Sequence, residues 1–203
     1  MMRWGMVIDL KRCIGCYGCQ LSCKAENGTP PGVFFARVLK QVSGKYPTVQ
    51  NTFLPVLCNH CEDPPCVEVC PTGASFVWEE DGIVDVDHDK CVGCRTCMLA
   101  CPYSQRFFND ESRAYFGDAG DTPYETARAR DHQTGVVLKC NFCRDRVRDG
   151  GQPACVDNCP TVARIFGDFD DPGSEVSHLI KERGGFPLHP EKGTKPRVYY
   201  LPA

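Results

Sequence analysis

The sequence predicts an α+β fold in which regular structure is sparse and consists of short strands and short helices. Two observations predict this fold. The chain has 203 residues and 16 cysteines, and the cysteines recur in groups along most of its length. The hydrophobic stretches between these groups are short and are bounded by glycine and proline, which end strands and helices. We therefore expect a core that depends on the cysteines as well as on apolar side chains.

Composition excludes several classes of function. With 42% apolar and 10% aromatic residues, a chain of this length supports one ordinary domain or two small ones. The 23 Lys and Arg residues are balanced by 26 Asp and Glu residues, so we expect no basic face and no nucleic-acid partner. The apolar runs Val33–Ala36 and Val136–Leu138 are far shorter than the ~18 residues of a membrane span. Asp9 interrupts the first apolar run, so we also expect no export signal.

The cysteines fall into four quartets without remainder. In chain order these are Cys13/Cys16/Cys19/Cys23, Cys58/Cys61/Cys66/Cys70, Cys91/Cys94/Cys97/Cys101 and Cys140/Cys143/Cys155/Cys159. The first and third have the spacing C-x2-C-x2-C-x3-C, which is typical of ligands to a [4Fe-4S] cube. Three closely spaced thiolates reach three iron corners, and a cysteine from a distant segment supplies the fourth. The quartets therefore predict four [4Fe-4S] clusters as cofactors.

The residue that follows each quartet supports this prediction. Cys70, Cys101 and Cys159 each precede a proline, as in two-cluster ferredoxins, whereas Cys23 precedes Lys24. Spacing by itself leaves open which quartets exchange their fourth ligands.

A disulfide scaffold and structural zinc are the alternatives to iron for so many cysteines. The chain is long enough to fold without disulfides, and cysteines so close in sequence are poorly placed to form bridges across a fold. Quartets two and four, taken alone, are compatible with four-thiolate zinc sites, but the C-x2-C-x2-C-x3-C runs are not. A zinc-binding interaction module would be colourless, which distinguishes it from an iron-sulfur protein.

The quartets are related in two pairs. Residues 9–16 resemble residues 87–94, and each segment follows a short hydrophobic strand. The run Cys58–Cys61 corresponds to Cys140–Cys143, and the similarity continues to the end of both quartets. Quartets one and three are therefore one related pair, and quartets two and four are the other.

Four strands are predicted in the first half of the chain. Met6–Ile8 and Ile83–Val86 are short apolar segments that lead into quartets one and three. Val33–Val42 and Gln50–Leu57 flank turn residues and predict a hairpin.

The second half contains one long polar insertion, residues 109–135. This segment is charged and lacks sustained periodicity, so we expect a loop that is either solvated or ordered by a partner. Glu175–Arg183 predicts a helix, with capping residues before it and glycines after it. Arg197–Leu201 predicts a last strand.

These motifs closely resemble the four-cluster iron-sulfur subunits of bacterial molybdopterin oxidoreductases. That family includes subunits of dimethyl sulfoxide, polysulfide, thiosulfate, tetrathionate and respiratory arsenate reductases. The resemblance covers nearly the whole chain. It rests on Gly5–Asp9 before quartet one, on Cys58–Cys66, and on Cys155–Thr161 followed by Phe166–Asp168.

The resemblance implies two ferredoxin-like units, one inserted in the other. The outer unit comprises residues 1–50 and 136–203, the inner unit comprises residues 51–108, and residues 109–135 form an insertion loop. It also implies that quartet one exchanges its last cysteine with quartet four, and quartet two with quartet three.

The implied ligand sets follow from this exchange. The first cluster is held by Cys13, Cys16, Cys19 and Cys159, the second by Cys140, Cys143, Cys155 and Cys23, the third by Cys58, Cys61, Cys66 and Cys101, and the fourth by Cys91, Cys94, Cys97 and Cys70.

The resemblance further implies an electron-transfer subunit without a catalytic site of its own. Its expected partners are a large molybdopterin-binding catalytic subunit at the first cluster and a membrane anchor subunit or other redox partner at the fourth. Co-export with the catalytic subunit would place it in the periplasm or on the extracytoplasmic face, with a cytoplasmic location as the alternative. A free-standing polyferredoxin carrier is the alternative function.

Some residues near the predicted ligands have expected supporting roles. Four cations lie near the predicted ligands; they are Lys24, Arg95, Lys139 and Arg144. One expectation is that they raise the reduction potentials of the clusters, because they stabilise the more negative reduced state; the alternative is that they are ordinary surface charges. His60 is not expected to be a ligand, because every cluster already has four cysteines; we expect it to pack or to hydrogen-bond near a cluster.

Overall fold

The computed structural model describes residues 2–110, 115–128 and 132–203. The strands within these residues are β1 (Trp4–Asp9), β2 (Arg37–Ser43), β3 (Gln50–Val56), β4 (Ser75–Val77), β5 (Val84–Val86), β6 (Phe107–Asn109), β7 (Val136–Leu138), β8 (Arg164–Asp168), β9 (Phe186–Pro187) and β10 (Val198–Leu201). The α-helices are α1 (Gly18–Asn27), α2 (Pro65–Glu68), α3 (Thr96–Ala100), α4 (Pro123–Arg128), α5 (Arg144–Arg148), α6 (Ala154–Asp157) and α7 (Glu175–Glu182). The predicted mixture of short strands and helices is confirmed.

A four-stranded sheet in the described residues joins the two ends of the chain. Its strand order is β8-β1-β10-β9. β1 is parallel to β10, with Met6 beside Val198, and antiparallel to β8, with Met6 beside Phe166. Met6 and Ile8 are fully buried in the main core, which also contains several cysteines. The alternate residue Val7 faces the other side of the sheet, as strand geometry requires.

Helix α7 covers that other side. Val7 packs there with Ile165, Val176 and Leu201, all buried. The helix begins after Ser174, whose hydroxyl accepts a hydrogen bond from the Ser177 N–H at 3.3 Å, which satisfies a free donor of the first turn. The predicted helix at this position and the predicted strands β1 and β10 are confirmed.

Three antiparallel strand pairs within the described residues flank the sheet. The longest is β2–β3, which pairs from Arg37 with Val56 to Ser43 with Gln50. It confirms the predicted hairpin, although the first strand begins at Arg37 and not at Val33. A turn bonds the Val33 N–H to the Pro30 carbonyl and carries the following residues into the core.

The polar insertion contains regular structure that was not predicted from the sequence. Residues 111–114 and 129–131 of the expected loop lie outside the described residues, but α4 forms between them. Thr122 and Glu125 form a capping box: the Thr122 hydroxyl accepts from the Glu125 N–H at 3.2 Å, and Glu125 accepts from the Thr122 N–H at 2.8 Å. A six-residue helix is too short to show periodicity, so the T-P-Y-E motif was the available signal.

The described parts of the insertion pack against the end of α1. The Tyr115 hydroxyl donates to the Thr29 carbonyl at 2.8 Å, and the Tyr124 hydroxyl donates to the Lys24 carbonyl at 3.2 Å. These contacts hold the insertion against the first quartet's helix. Among the described residues, no helix has the length and apolar character needed to cross a bilayer.

Candidate metal centres

Two pockets in one half of the molecule are lined by cysteines from two different quartets. One is lined by Cys58, Cys61, Cys66 and Cys101. The other is lined by Cys70, Cys91, Cys94 and Cys97. Each pocket therefore receives three cysteines from one quartet and the last cysteine of the other.

The cysteine charges that raise the pKa of Cys61 and of Cys97 come from the pocket that each thiol lines. Burial is the main cause that raises the pKa of Cys61 to about 12, although a hydrogen bond from Thr194 lowers it. The charges of the three other cysteines that line the same pocket raise this pKa further; they are Cys58, Cys66 and Cys101. Burial also raises the pKa of Cys97, with a further contribution from Cys70 and Cys91 in the second pocket.

The other eight cysteines, from quartets one and four, interact electrostatically across the two quartets. Burial raises the pKa of Cys13, and the charges of Cys19 and Cys159 raise it further. Burial also raises the pKa of Cys23, with added contributions from the charges of Cys155 and Cys143.

The two remaining cysteines of these quartets lie close to the others. Burial followed by the charge of Cys23 raises the pKa of Cys140. Cys16 lies close to the fourth quartet, because Gly18 is near both. A Cβ placed on Gly18 would be 3.5 Å from the Cys16 Sγ and 3.4 Å from the carbonyl oxygen of Asn158, which directly precedes Cys159.

The first and third quartets have matching backbone conformations. Gly15 and Gly93 have φ of +67° and +68°, and Tyr17 and Arg95 have φ of 60° and 63°. A Cβ on Gly93 would meet the Gly135 carbonyl oxygen at 2.2 Å, so both the φ angle and the space require glycine there. The two loops predicted to be related thus share the same left-handed backbone turns.

Backbone N–H groups donate to sulfur in corresponding places. The Ser75 N–H donates to Cys70 Sγ at 3.3 Å, and the Ala163 N–H donates to Cys159 Sγ at 3.2 Å. Burial alone would raise the pKa of both thiols, but these hydrogen bonds and those of the neighbouring threonines hold it below the ordinary value. Both cysteines are thereby favoured as thiolates, the form that binds iron.

His60 lines the Cys58 pocket with an unused hydrogen-bonding atom. The side chain is fully buried, its Nδ1 accepts from the Val84 N–H at 3.2 Å, and its Nε2 has no partner among the described residues. Burial, then the charges of Lys139, Arg197 and Arg106, hold its pKa well below the usual value, so the ring is neutral with its proton on Nε2. An N–H without a partner in the described residues, on a side chain that lines the pocket, suits a sulfide acceptor, as expected for a residue that supports a cluster without ligating it.

The donor sets fit an iron-sulfur cube. Each of the two pockets is lined by four cysteines, and four soft thiolates are the ligand set of a [4Fe-4S] cluster. In the described part of the chain, no three His, Cys, Asp or Glu side chains converge as ligands of one metal ion would. The thiols of each described pocket instead line a common space.

Three of the four cations named from sequence have other partners. Lys24 Nζ donates to the carbonyls of Thr29, Pro30 and Val33 at 2.9–3.2 Å, and burial lowers its pKa to about 8. Arg95 lies over the Phe108 ring, 3.6 Å from its centroid.

Arg144 is neutralised by ion pairs with Asp81 at 2.7 Å and Glu80 at 2.8 Å. Lys139, the fourth of these cations, is buried and forms no ion pair in the described residues; its Nζ donates to two backbone carbonyls.

Two buried arginines beside the thiols were not predicted from the sequence. Arg106 Nη2 lies 3.0 Å from Cys66 Sγ, and Arg164 Nη1 lies 3.6 Å from Cys155 Sγ. Each arginine follows the last cysteine of a quartet by five residues, which was a signal available in the sequence. The signal is easily overlooked because arginine is usually exposed.

Comparison with known proteins agrees with this chemistry. A model of the 4Fe-4S dicluster domain matches residues 49–116 and 119–169. A putative dimethyl sulfoxide reductase iron-sulfur subunit of Halobacterium salinarum is 48% identical over 99% of this chain and 79% of that protein. The arsenate respiratory reductase iron-sulfur subunit ArrB of a Shewanella species is 42% identical, over 98% of this chain and 96% of that protein.

A sulfite dehydrogenase subunit of Allochromatium vinosum is 42% identical over 100% of this chain and 84% of that protein. The predicted family resemblance is therefore confirmed, and the 16 cysteines supply four [4Fe-4S] clusters. The chain belongs to the 4Fe-4S dicluster domain family, among the iron-sulfur subunits of reductases and dehydrogenases.

Proposed function

We propose that this protein is the electron-transfer subunit of a molybdopterin oxidoreductase complex and that its four clusters form one conducting series. The observation that carries the proposal is the crossed grouping of the cysteines, in which each pocket draws its fourth thiol from another quartet. A crossed ligand holds two clusters close together within one small fold. When bound, each cluster accepts and releases one electron.

The proposed ligand sets are the four expected from the family. Thiol groupings support the first (Cys13, Cys16, Cys19, Cys159) and the second (Cys140, Cys143, Cys155, Cys23). Pocket linings support the third (Cys58, Cys61, Cys66, Cys101) and the fourth (Cys91, Cys94, Cys97, Cys70).

We further propose the nested arrangement of two ferredoxin-like units, with residues 51–108 inserted between 1–50 and 136–203. Pairing of β1 with β8 and β10 supports the outer unit, because it joins the first and last segments. Pairing of Asn109 with Val136 supports the insertion, because it brings the two sides of the 109–135 segment together.

Contacts between the ligand sets support a linear order. Cys155 of the second set is close enough to Cys19 of the first for the two charges to interact. Cys140 of the second set interacts in the same way with Cys58 of the third. Arg106 contacts the Cys66 sulfur of the third set, and its charge also acts on Cys97 of the fourth. These interactions support the order first, second, third, fourth.

The two ends of this series are suited to docking. Ile14 and Leu21, beside the first set, are 60% and 66% exposed, and Val92 and Leu99, beside the fourth set, are 67% and 89% exposed. We assign the first end to the molybdopterin-binding catalytic subunit and the fourth end to a membrane anchor or another redox partner. The names of the relatives, which are reductase and dehydrogenase subunits, support such a complex. The periplasmic or cytoplasmic location stays a prediction.

Affinity purification from the native host tests the assignment. A tag on this chain should recover a large molybdopterin protein, and dithionite-reduced clusters in the complex should reoxidise when the substrate of that protein is added. A free-standing carrier would instead purify alone and exchange electrons with several unrelated enzymes. Leu99→Asp and Leu21→Asp provide a matched pair, because only Leu21→Asp should reduce recovery of the catalytic subunit.

A further inference from the structure

Three buried cations lie beside the cysteines and lack a carboxylate partner among the described residues. They are Arg106, Lys139 and Arg164, with 4%, 5% and 1% of their surface exposed. A buried cation without a counter-ion is strongly unfavourable, so a negative group has to compensate each of them. Arg144, which is equally buried, shows the ordinary solution, since Asp81 and Glu80 neutralise it.

Arg164 lies between the first and second ligand sets. Its Nη1 contacts Cys155 Sγ of the second set at 3.6 Å and Met6 Sδ at 3.7 Å, while its buried Nη2 has no partner in the described residues. Its charge acts on Cys19 of the first set as well as on Cys155 and Cys23 of the second.

Arg106 occupies the corresponding place between the third and fourth sets. Nη1 donates to Ser75 Oγ at 2.6 Å and Nη2 donates to Cys66 Sγ of the third set at 3.0 Å. The charge of the guanidinium also acts on Cys97 of the fourth set. The planar fork of arginine, with five donors, suits a position between two groups of sulfur atoms.

Lys139 lies between the second and third sets. It directly precedes Cys140 of the second set and donates from Nζ to that residue's carbonyl and to the carbonyl of Val84. Val84 lines the pocket of the third set together with Cys66. The lysine charge acts on both Cys140 and Cys66.

We propose that Arg164, Lys139 and Arg106 are positioning residues for electron transfer, one in each gap between neighbouring clusters, and that each cation raises the potentials of the two clusters beside it. This inference rests on the proposed function, because the compensating charges are those of the bound clusters. A cluster with four thiolates is anionic and becomes more negative on reduction, so a fixed cation stabilises the reduced form. In a buried site this attraction is weakly screened.

The test is a redox titration of the full chain, purified anaerobically with its clusters and followed by electron paramagnetic resonance. Arg164→Met should lower the potentials of the first and second clusters, Lys139→Met those of the second and third, and Arg106→Met those of the third and fourth. We expect at least a tenfold change in the oxidised-to-reduced ratio, which is about 59 mV for one electron. The signals of the second and third clusters should therefore each shift in two of the variants. The signals of the first and fourth clusters should each shift in one variant.

Control variants separate charge from shape. Arg164→Lys, Arg106→Lys and Lys139→Arg keep the charge and should keep potentials near those of the wild type. Arg148→Met makes the same chemical change at an exposed position of α5 and should leave all four potentials unchanged.

The different negative results are distinguishable. A wild-type protein without four clusters would overturn both the proposed function and this inference. Four clusters whose potentials ignore the neutral variants would overturn this inference alone. If the neutral variants fail to incorporate iron while the charge-keeping variants succeed, charge decides loading and the proposal is supported. If both fail, shape is the requirement and the proposal is overturned.

Discussion

His60 and Phe142 stack face to face, with ring centroids 3.8 Å apart and planes inclined by 26°. They occupy the same place in two related sequences, since each is the third residue of a C-x2-C run. One run supplies Cys58 and Cys61, and the other supplies Cys140 and Cys143. The stack therefore joins the second cysteine quartet to the fourth.

Phe142→Ala should destabilise the loaded protein by about 3–5 kcal/mol, because it removes a fully buried aromatic ring and leaves a cavity beside His60. The midpoint of urea unfolding, followed by loss of cluster absorbance, measures this change. Tyr46→Ala, at a hairpin position that is 93% exposed, is the control and should leave the midpoint unchanged. Equal midpoints for Phe142→Ala and the wild type would show that the stack does not stabilise the fold.

Removing the iron should unfold the chain. Buried cysteines such as Cys140 and Cys155 belong to the main core, so loss of the clusters leaves thiols and arginines facing empty space. Circular dichroism during anaerobic chelation should lose its native form in step with the iron absorbance. Retention of the native spectrum after complete iron loss would contradict this expectation.

Asp9→Asn should lower stability by roughly 1–3 kcal/mol at neutral pH, because a charged hydrogen-bonding network is lost. The Asp9 carboxylate accepts from the Lys11 N–H at 3.0 Å and from Arg183, and thereby fixes the approach to the first quartet. Asp63→Asn is the matched control, since its ion pair with Lys195 is exposed on both sides and contributes little.

The pH dependence of the Asp9 effect follows from its pKa. Burial by itself would raise this pKa, but the hydrogen bond and charge of Arg183 and the nearby N–H groups hold it below the usual value. A lowered folded-state pKa means that the stabilisation is complete above the ordinary carboxyl value and is lost only as the pH falls through the folded-state value. The difference between Asp9→Asn and the wild type in urea should stay constant from about pH 8 to 5. A difference that shrinks across this interval would assign the effect to another group.

Serine substitutions should reveal the crossed ligand pairing. Cys70→Ser should alter the same paramagnetic signal as Cys94→Ser, because both thiols line one pocket. Cys101→Ser should alter the same signal as Cys61→Ser, because these two line the other pocket. If Cys70→Ser instead changed the signal that Cys61→Ser changes, each quartet would hold its own cluster and the exchange would be wrong.

The cysteine framework could be predicted from the sequence because ligand spacing is local. A C-x2-C-x2-C-x3-C run limits the geometry of its own loop, and the repeats predicted which loops share a conformation, as Gly15 and Gly93 do. Short strands such as β1 and β5 were predictable for the same reason, since their apolar residues lie directly before the quartets.

Pairings between distant segments were not predictable in this way. The parallel register that sets Met6 beside Val198 depends on packing of the whole chain, and neither segment indicates its partner. The burial of Arg106 and Arg164 was missed because they contact sulfur atoms, whereas arginine in isolation indicates a surface. Helix α4 was not predicted because six residues are too few to show helical periodicity.

Native mass spectrometry of the anaerobically purified full chain, with iron, sulfide and zinc analysis of the same sample, tests the presence of four clusters most directly. We expect one dominant species in which the chain carries four iron and four sulfide atoms for each of four clusters, and no zinc. A chain that carries fewer clusters when every cysteine is intact, or that carries zinc in place of iron, would contradict the four-cluster assignment.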